Sequence, residues 1–368
     1  MMTPESIGFS AARLERAYRF LDDAVARGDL PAAALLVARN GQALPPHVAG
    51  QHGLAADAPA LRPDAIFLVA SVTKPVVVSA LMLLVERGEL LLDDRVTRYV
   101  PEFGVNGKDR ITLRHLMTHT SGLPDMLPEN EALRAEHAPL AEFVRRICTL
   151  EPSYAAGTNI EYQSTGIAML GEVLERVTGR TLPDFLRREI FEPLGMYDTA
   201  LGIDGLDASR VPEINVGEEA LRTDWHWNSD YWRHFGAPWG GMFTTVGDFF
   251  RYMQCILDGG RLGDVDIFSP ATVAAMTGDQ TGGMAQIPNT VRAEQTWGLG
   301  WRLFPGVRWS YFGNLVSPGT YGHGGATGTV VWADPARRIT CVLFTTEPSA
   351  NSTGLLGRCS NLVAASAG

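Results

Sequence analysis

The stretch FLVASVTKPVVVSALMLLVERGEL, residues 67–90, decides how the rest of the chain is interpreted. From Val76 onward it is apolar on every helical face, a pattern typical of a helix that is buried on all sides. Pro75 suits the first turn of such a helix, and Gly88 is placed to end it. The stretch also contains Lys74, which is unusual because the 31 basic residues of this chain include only two lysines, Lys74 and Lys108.

The pairing of Ser71 with Lys74 has a chemical interpretation. A serine hydroxyl is a weak nucleophile until a base takes its proton, and residues three apart on a helix share a face. Lysine serves as that base when burial and the positive end of a helix lower its pKa, whereas arginine cannot lose its proton. The alternative is a capping serine followed by a surface lysine, which the apolar residues after Lys74 disfavour.

Composition narrows the class of protein. A chain of 368 residues that is 45% hydrophobic and 20% charged is typical of a globular protein with one large domain or two interlocked ones. The net charge of −10 argues against a nucleic-acid partner. Glu86 and Arg87 end the longest apolar run well short of a membrane span. The N-terminus lacks a signal pattern, which predicts a cytoplasmic protein or one whose leader has been removed. The oligomeric state stays open.

The cysteines and histidines do not indicate a metal site. The four cysteines are far apart and form no C-x-x-C pair, so neither a zinc site nor a disulfide framework is predicted. His115 and His119 lie four apart in RHLMTHTSGLP and could place two ligands on one helical face. No third ligand is apparent nearby, and a structural role for this pair is favoured.

The distribution of strand and helix patterns predicts an α+β fold. A helix over residues 10–28 is followed by a strand and an Asn40-Gly41 hairpin turn, and residues 328–347 form a second hairpin around Asp334-Pro335. Helical patterns fill the middle of the chain. We therefore expect an antiparallel sheet built from both termini and flanked by helices, with an inserted, mostly helical region. The predicted domains are residues 1–70 with 236–368, and residues 71–235, with the active site at their junction.

Several further segments, in this order, resemble one known family. They are SVTK (71–74), ITLRHLMTHTSGLP (111–124), IEYQSTGIAMLGEVLERVTG (160–179), PWGGMFTTVGDFFRYM (238–253), WGLGW (297–301) and YGHGGATGTVVWADP (321–335). The set resembles the penicillin-recognising serine enzymes, in the branch of class C β-lactamases, D,D-peptidases and family VIII carboxylesterases. The resemblance covers nearly the whole chain and implies the β-lactamase/D,D-peptidase-like fold.

The resemblance assigns roles to particular residues. Ser71 resembles the acylated nucleophile, Lys74 its general base, and Tyr162 the phenol that shares protons with Lys74 and the leaving group. We expect the positive charge beside Tyr162 to stabilise its anion. The backbone N–H groups of Ser71 and Ala326 would form the oxyanion hole. His323, Gly324 and Gly325 resemble the third motif, on a strand that lines the site.

Two departures from the family pattern favour a neutral ester as substrate. The class C enzymes have Tyr-x-Asn, whose amide binds the substrate amide, but the third position here is Ser164. His323 stands where the lactamases have lysine, and a histidine is often neutral near pH 7. Family VIII esterases commonly depart at these same positions, so the resemblance to them is the closest.

Two other segments are candidates for the cleft edge. Eight aromatic or histidine residues lie within residues 225–239, and Trp239 is a candidate substrate contact. They can form an apolar wall for an acyl or alcohol group, or they can simply pack against the helical region. Residues 280–295 are polar and rich in glycine, which indicates a mobile flap.

These observations predict a serine hydrolase that cleaves a small-molecule carboxylic ester through an acyl-enzyme, with no metal or organic cofactor. The alternatives on the same site are a D,D-peptidase, a D-aminopeptidase, a β-lactamase and an acyltransferase. An alternative of another class is a non-catalytic ligand-binding protein. An α/β-hydrolase is disfavoured, because the chain contains no G-x-S-x-G motif.

Overall fold

The computed structural model describes residues 2–304 and 311–368. The strands in chain order are β1 (Ala32–Arg39), β2 (Gln42–Ala43), β3 (His47–Gly50), β4 (Phe67–Leu68), β5 (Ala200–Leu201), β6 (Met242–Thr244), β7 (Arg261–Leu262), β8 (Val265–Asp266), β9 (Arg302–Leu303), β10 (Tyr321–Gly325), β11 (Thr329–Asp334) and β12 (Ile339–Thr345). The helices are α1 (Ala11–Ala26), α2 (Thr73–Glu86), α3 (Leu113–Met117), α4 (Asn130–Ala135), α5 (Leu140–Ile147), α6 (Thr165–Thr178), α7 (Leu182–Leu186), α8 (Gly217–Ala220), α9 (Asp230–Phe235), α10 (Val246–Leu257), α11 (Pro270–Thr277), α12 (Asn289–Glu294) and α13 (Leu355–Ser366).

The main sheet joins the two ends of the chain. Its order is β2-β1-β12-β11-β10-β9, with β3 also paired to β1, and these pairings are antiparallel. In the central pair, Leu35 of β1 lies opposite Leu343 of β12. The expectation of an antiparallel sheet built from both termini and flanked by helices is thereby confirmed.

Both faces of the central strands are buried. Their sequences are therefore continuous apolar runs and do not alternate between apolar and polar residues. Leu35 and Leu343 belong to the core between the sheet and the terminal helices α1 and α13. Their neighbours Leu36 and Phe344 belong to the larger core on the opposite face, which continues into the helical part of the chain. Side chains alternate between the two cores because successive residues of a strand point to opposite faces.

Both predicted hairpins occur at the predicted turns, and the first predicted helix is present with a slightly different end. Asn40 and Gly41 both adopt positive φ, 53° and 77°, as a tight hairpin turn requires. The second hairpin turns over residues 335–338, where Arg338 has φ 53°. The first helix ends at Ala26 rather than residue 28, because Gly28 with φ 78° cannot continue it.

The middle of the chain, from α2 to α9, is mostly helical, and α2 runs through its core. Residues 73–84 of α2 are all buried, and the helix packs against α6 and α11. A small sheet of order β4-β6-β5 joins this region to the segments on either side. The division into domains 1–70 with 236–368 and 71–235 stays a prediction.

No helix within residues 2–304 and 311–368 combines the length and apolar character needed to cross a bilayer. The four cysteines, Cys148, Cys255, Cys341 and Cys359, are buried free thiols.

Candidate active site

Ser71 lies in a short 3-10 turn, Ala70–Val72, that leads directly into α2. Ala70 has φ 45°, a strained value for a residue with a Cβ. The Thr73 hydroxyl holds the turn, since it donates to the Ala70 carbonyl at 2.6 Å and accepts from the Met242 amide at 3.1 Å. Backbone strain that the surroundings enforce is typical of a functional position. The constrained turn therefore fixes the direction of the Ser71 hydroxyl.

Lys74 reaches back from the first turn of α2 to Ser71. Its Nζ lies 2.9 Å from Ser71 Oγ and donates to the Trp239 carbonyl at 2.8 Å. The same nitrogen is 4.7 Å from the centre of the Tyr162 ring. Lys74 is completely buried. The amine is therefore held at one place, within hydrogen-bond distance of the hydroxyl that it would deprotonate.

Burial lowers the pKa of Lys74 from 10.5 to about 7, because an ammonium loses its hydration there, and the Asp125 carboxylate opposes the shift. With this pKa, both the protonated and the free amine are populated near neutral pH. The amine can therefore accept a proton from serine and return it later. A surface lysine could not do this, because it is almost fully protonated at that pH.

Tyr162 faces the same hydroxyl from the loop before α6. Burial raises the pKa of its phenol well above 10, and the nearby Ser71 hydroxyl only partly opposes this shift. This differs from the expectation that a neighbouring positive charge would stabilise the phenolate. Desolvation is the largest cause of the shift, because a buried phenolate would lose its hydration. In the resting site Tyr162 is consequently a neutral phenol that has a proton to give.

Aromatic rings enclose Tyr162. The centre of its ring is 4.8 Å from that of His119, 6.0 Å from that of Trp297 and 6.0 Å from that of His323. His119 is fully buried and accepts a hydrogen bond from the Gln163 amide through Nδ1. His119 thus orients the segment that carries Tyr162.

The two histidines singled out from the sequence do not form a metal site. His115 closes the N-terminal cap of α3 with Thr112, while His119 packs beside Tyr162. In the part of the chain that the structure describes, no group of three or more His, Cys, Asp or Glu side chains could hold a metal ion. The structural role favoured for this pair agrees with these contacts.

His323 on β10 is a neutral side chain. Its Nδ1 donates to the Gly324 carbonyl at 2.6 Å, which leaves Nε2 as the acceptor. Burial lowers the pKa of His323 to about 3, and the charge on Lys74 acts in the same direction. The position therefore supplies no fixed positive charge, unlike the lysine that the lactamases have there.

The β10–β11 hairpin lies tightly against the segment before Ser71. Thr327 and Thr329 donate to the carbonyls of Leu68 and Val69, at 2.8 and 3.0 Å. A Cβ on Gly325 would lie 2.2 Å from the Val69 carbonyl oxygen, so only glycine permits this approach. The hairpin thus brings Ala326 to the same cavity as Ser71.

A cavity of about 400 Å³ opens above Ser71. Its walls are Ser71, Tyr162, Gln295, Trp297, Arg302, Tyr311, His323, Gly324, Gly325, Ala326 and Asn351. It brings together most of the residues predicted from the sequence, with Lys74 buried beneath the nucleophile. Its size suits a small ester.

Two predicted substrate contacts lie elsewhere. Ser164 and Trp239 border a separate, much smaller cavity together with Phe143. Trp239 reaches the reacting groups only through its carbonyl, which accepts from Lys74. The Ser164 amide donates to the Asp125 carbonyl and so holds the loop that carries this acid.

The aromatic segment 225–239 packs against the helical region and does not line the cavity above Ser71. The Tyr231 hydroxyl donates to the Ala138 carbonyl, and Trp232 lies 4.3 Å from the Arg134 guanidinium. Phe235 contacts Phe143, with ring centres 5.1 Å apart. Of the two interpretations given for this segment, ordinary packing agrees with the structure.

Four of the cavity residues had no role in the sequence analysis: Gln295, Arg302, Tyr311 and Asn351. They come from the end of the 280–295 segment, from β9, from residue 311 and from the segment before α13. The mobility of segment 280–295 stays a prediction. The WGLGW motif pointed to this wall, because it contains Trp297 and directly precedes Arg302.

Comparisons with known proteins agree with this geometry. Residues 17–358 match the family model described as Beta-lactamase. Esterase EstB of Burkholderia gladioli is 37% identical over 203 residues, which cover 51% of this chain and 50% of that protein. A protein of Escherichia coli (strain K12) named "Putative D-alanyl-D-alanine carboxypeptidase" is 27% identical over 383 residues, 94% of this chain and 85% of the other.

Solved structures show the same fold. A penicillin-binding protein homologue from Caulobacter crescentus superimposes with a TM-score of 0.76 at 24% sequence identity, covering 96% of this chain and 99% of that one. The expected β-lactamase/D,D-peptidase-like fold is therefore confirmed.

Proposed function

The chain belongs to the Beta-lactamase family, and on that premise we propose that it is a serine hydrolase that cleaves small carboxylic esters through an acyl-enzyme. The observation that carries the proposal is the 2.9 Å approach of Lys74 Nζ to Ser71 Oγ, with the amine buried and its pKa lowered to about 7. A nucleophile paired with a base of this pKa is poised for acyl transfer at neutral pH.

Acylation begins when Ser71 Oγ attacks the ester carbonyl carbon and Lys74 takes the hydroxyl proton. The carbonyl oxygen becomes an oxyanion, and the amides of Ser71 and Ala326 would bind it. Each such donor typically lowers the barrier by ~3 kcal/mol. The C–O bond to the alcohol then breaks, and the neutral Tyr162 phenol gives the alcohol its proton. The Lys74 ammonium then gives its proton to the Tyr162 phenolate, which restores the neutral phenol and leaves Lys74 as a free amine.

Deacylation uses the same groups in reverse. Lys74, now a free amine, takes a proton from water, and the hydroxide attacks the acyl carbon. The acid is released and Ser71 regains its proton.

Two features favour an ester over a β-lactam or a peptide. Ser164 stands where the class C enzymes have an amide side chain, and His323 is neutral. Peptidoglycan stems and β-lactams would lack the amide side chain and the third-motif lysine that usually bind them. An ester has no amide group that needs such a partner. The similarity to esterase EstB points the same way.

D,D-carboxypeptidase activity is the second candidate, since the Escherichia coli relative is similar over 94% of this chain. It would use the same nucleophile, with an amine in place of the alcohol as the leaving group. An acyltransferase, a D-aminopeptidase and a β-lactamase also share the acyl-enzyme, and a pure ligand-binding protein would form none.

The test compares hydrolysis of p-nitrophenyl butyrate, nitrocefin and a D-alanyl-D-alanine peptide by the wild type and by Ser71→Ala. We expect fast ester turnover, little turnover of the other two, and none in the variant. Dominant peptide or nitrocefin turnover would instead establish one of the alternatives. Ester turnover that survives in folded Ser71→Ala would show that the nucleophile is another residue. A fluorophosphonate that fails to label the wild type would indicate a binding protein.

A further inference from the structure

The turn between β10 and β11 carries the Ala326 N–H, one of the two groups proposed to bind the oxyanion. The Gly328 amide closes this turn by donating to the Gly325 carbonyl at 3.0 Å. Ala326 directly follows β10 and lies at the wall of the cavity above Ser71. In the part of the chain that the structure describes, the Ala326 N–H donates to no other group of the protein. It is therefore available to an oxygen of the substrate.

A second donor reaches the same carbonyl from outside the turn. The Nδ2 atom of Asn351 donates to the Gly325 carbonyl at 2.9 Å. Asn351 is partly buried and belongs to the cavity wall. A carbonyl oxygen has two lone pairs, so that of Gly325 can accept from Gly328 and from Asn351 together. The direction of this carbonyl is thus set by two separate segments of the chain.

Holding the Gly325 carbonyl also holds the Ala326 N–H, because both groups belong to one planar peptide unit. This peptide bond is trans, and in a trans unit the carbonyl and the N–H point in opposite directions. A side chain that fixes the carbonyl therefore fixes the direction of the N–H. The hydrogen bond from Asn351 also polarises the peptide unit, which strengthens its N–H as a donor.

The segment that presents Asn351 is tied to the end of the central strand β12. It forms a 3-10 turn over Pro348–Ala350, and Asn351 directly follows that turn. Glu347 caps the turn, since its carboxylate accepts from the Ser349 amide at 3.1 Å and from the Asn215 side chain at 2.7 Å. The protein itself thus places the Asn351 amide before any substrate binds.

We propose that Asn351 is a positioning residue for the oxyanion hole, acting through the Gly325 carbonyl on the Ala326 N–H. This inference rests on the proposed ester hydrolysis and adds a residue to its machinery. Without Asn351 the peptide unit can turn away from the oxygen. The loss is felt when negative charge develops on that oxygen and not when the neutral ester binds. Asn351 should therefore affect kcat and leave KM unchanged.

The test compares the wild type with Asn351→Leu and Asn351→Asp, because neither new side chain can donate to the Gly325 carbonyl. The matched control is Asn106→Asp. Asn106 is exposed, and its Nδ2 atom likewise donates to a backbone carbonyl, that of Thr149, at 2.8 Å. All assays are run at pH 9, where Lys74, with a pKa of about 7, is the free amine.

Two quantities separate positioning of the oxyanion hole from other roles. The first is the pair kcat and KM for p-nitrophenyl butyrate. The second is the inhibition constant of 1,1,1-trifluoropentan-2-one, a ketone with the same butanoyl chain and no alcohol half. Ser71 Oγ bonds to its carbonyl carbon, the π electrons move to the oxygen, and Lys74 takes the hydroxyl proton. The product is a tetrahedral oxyanion, so its affinity reports on the oxyanion hole.

We expect kcat to fall by about 10- to 100-fold in both Asn351 variants, a part of the loss that follows removal of an oxyanion donor. KM should stay within about twofold of the wild-type value. The inhibition constant should rise by the same factor by which kcat falls. Asn106→Asp should keep the wild-type values of all three quantities.

An unchanged kcat in a folded Asn351 variant would overturn the inference and leave the proposed function intact. A changed kcat or KM with an unchanged inhibition constant would also overturn it, because Asn351 would then act on the alcohol half of the substrate. Failure of the wild type to cleave the ester would overturn both. Thermal unfolding verifies that each variant is folded, and Asn351→Asp, which keeps the size of the side chain, keeps the test decisive if Asn351→Leu is not folded.

Discussion

The lowered pKa of Lys74 can be measured directly, because this chain has only one other lysine. A protein grown with lysine labelled by ¹³C at Cε should give two signals, from Lys74 and Lys108, and Lys74→Arg identifies the first. We expect the Lys74 signal to titrate with a midpoint near pH 7. Relative to the ordinary value of 10.5, that shift corresponds to about 5 kcal/mol of lost stabilisation of the ammonium, at 1.36 kcal/mol per pH unit.

The same pKa should govern the rate of acylation. Only the free amine can take the Ser71 proton, so log(kcat/KM) for an activated ester should rise by about one per pH unit below the midpoint and level off above it. Lys74→Arg keeps a cation at this position but removes the base, and should abolish turnover. A midpoint above pH 9 in the titration, or a rate that still climbs there with unit slope, would refute the role assigned to burial.

Stability should follow pH with a definite sign. The folded-state pKa of Lys74 lies below its unfolded-state value, so between pH 7 and 10.5 the unfolded chain binds more protons and the free energy of unfolding rises with pH. Measured against Lys74→Met by urea unfolding, the wild type should gain about 2 kcal/mol between pH 7 and pH 9. A difference that does not change with pH would contradict the buried amine.

Three further substitutions test separate parts of the structure. Tyr162→Phe should lower kcat for ethyl butyrate, whose alkoxide must be protonated as it leaves, by about 10²- to 10⁴-fold with an unchanged melting temperature; a loss below about threefold would exclude the role of proton donor. Gly325→Ala should unfold at lower temperature and lose activity, because its Cβ would lie 2.2 Å from a carbonyl oxygen; Gly247→Ala, whose Cβ would have 3.7 Å of clearance, is the control, and equal melting temperatures would refute the clash. Leu81→Ala should cost about 2–5 kcal/mol in urea unfolding, and Leu91→Ala, at a residue that is 64% exposed, much less; similar costs would contradict the burial of α2.

The sequence predicted those parts of the molecule that are specified by local pattern. The uninterrupted apolar run after Lys74 predicted a helix buried on all sides, and every residue from Thr73 to Leu84 is buried. Asn40-Gly41 predicted a hairpin because the turn needs two positive φ angles. Lys74 itself was conspicuous because arginine occupies nearly every other basic position of the chain.

The features that the sequence did not reveal depend on contacts between distant segments. Arg302 and Asn351 belong to an edge strand and a loop near the C-terminus, and no periodicity connects either residue with Ser71. The pKa of Tyr162 depends on how far the folded chain buries the phenol. The residues adjacent to Tyr162 in the sequence do not predict this burial. Ser164 and Trp239 lie in segments that resemble the family, but these two residues border a different cavity.

The central claim is that Ser71 carries the acyl group during turnover. The most direct test is an acid quench of the wild type during hydrolysis of p-nitrophenyl pivalate, whose hindered acyl group slows deacylation, followed by peptide mass mapping. We expect one pivaloyl group on the peptide that contains Ser71, and none in Ser71→Ala. Continued turnover with an unmodified Ser71 peptide, or an acyl group attached to another residue, would contradict it.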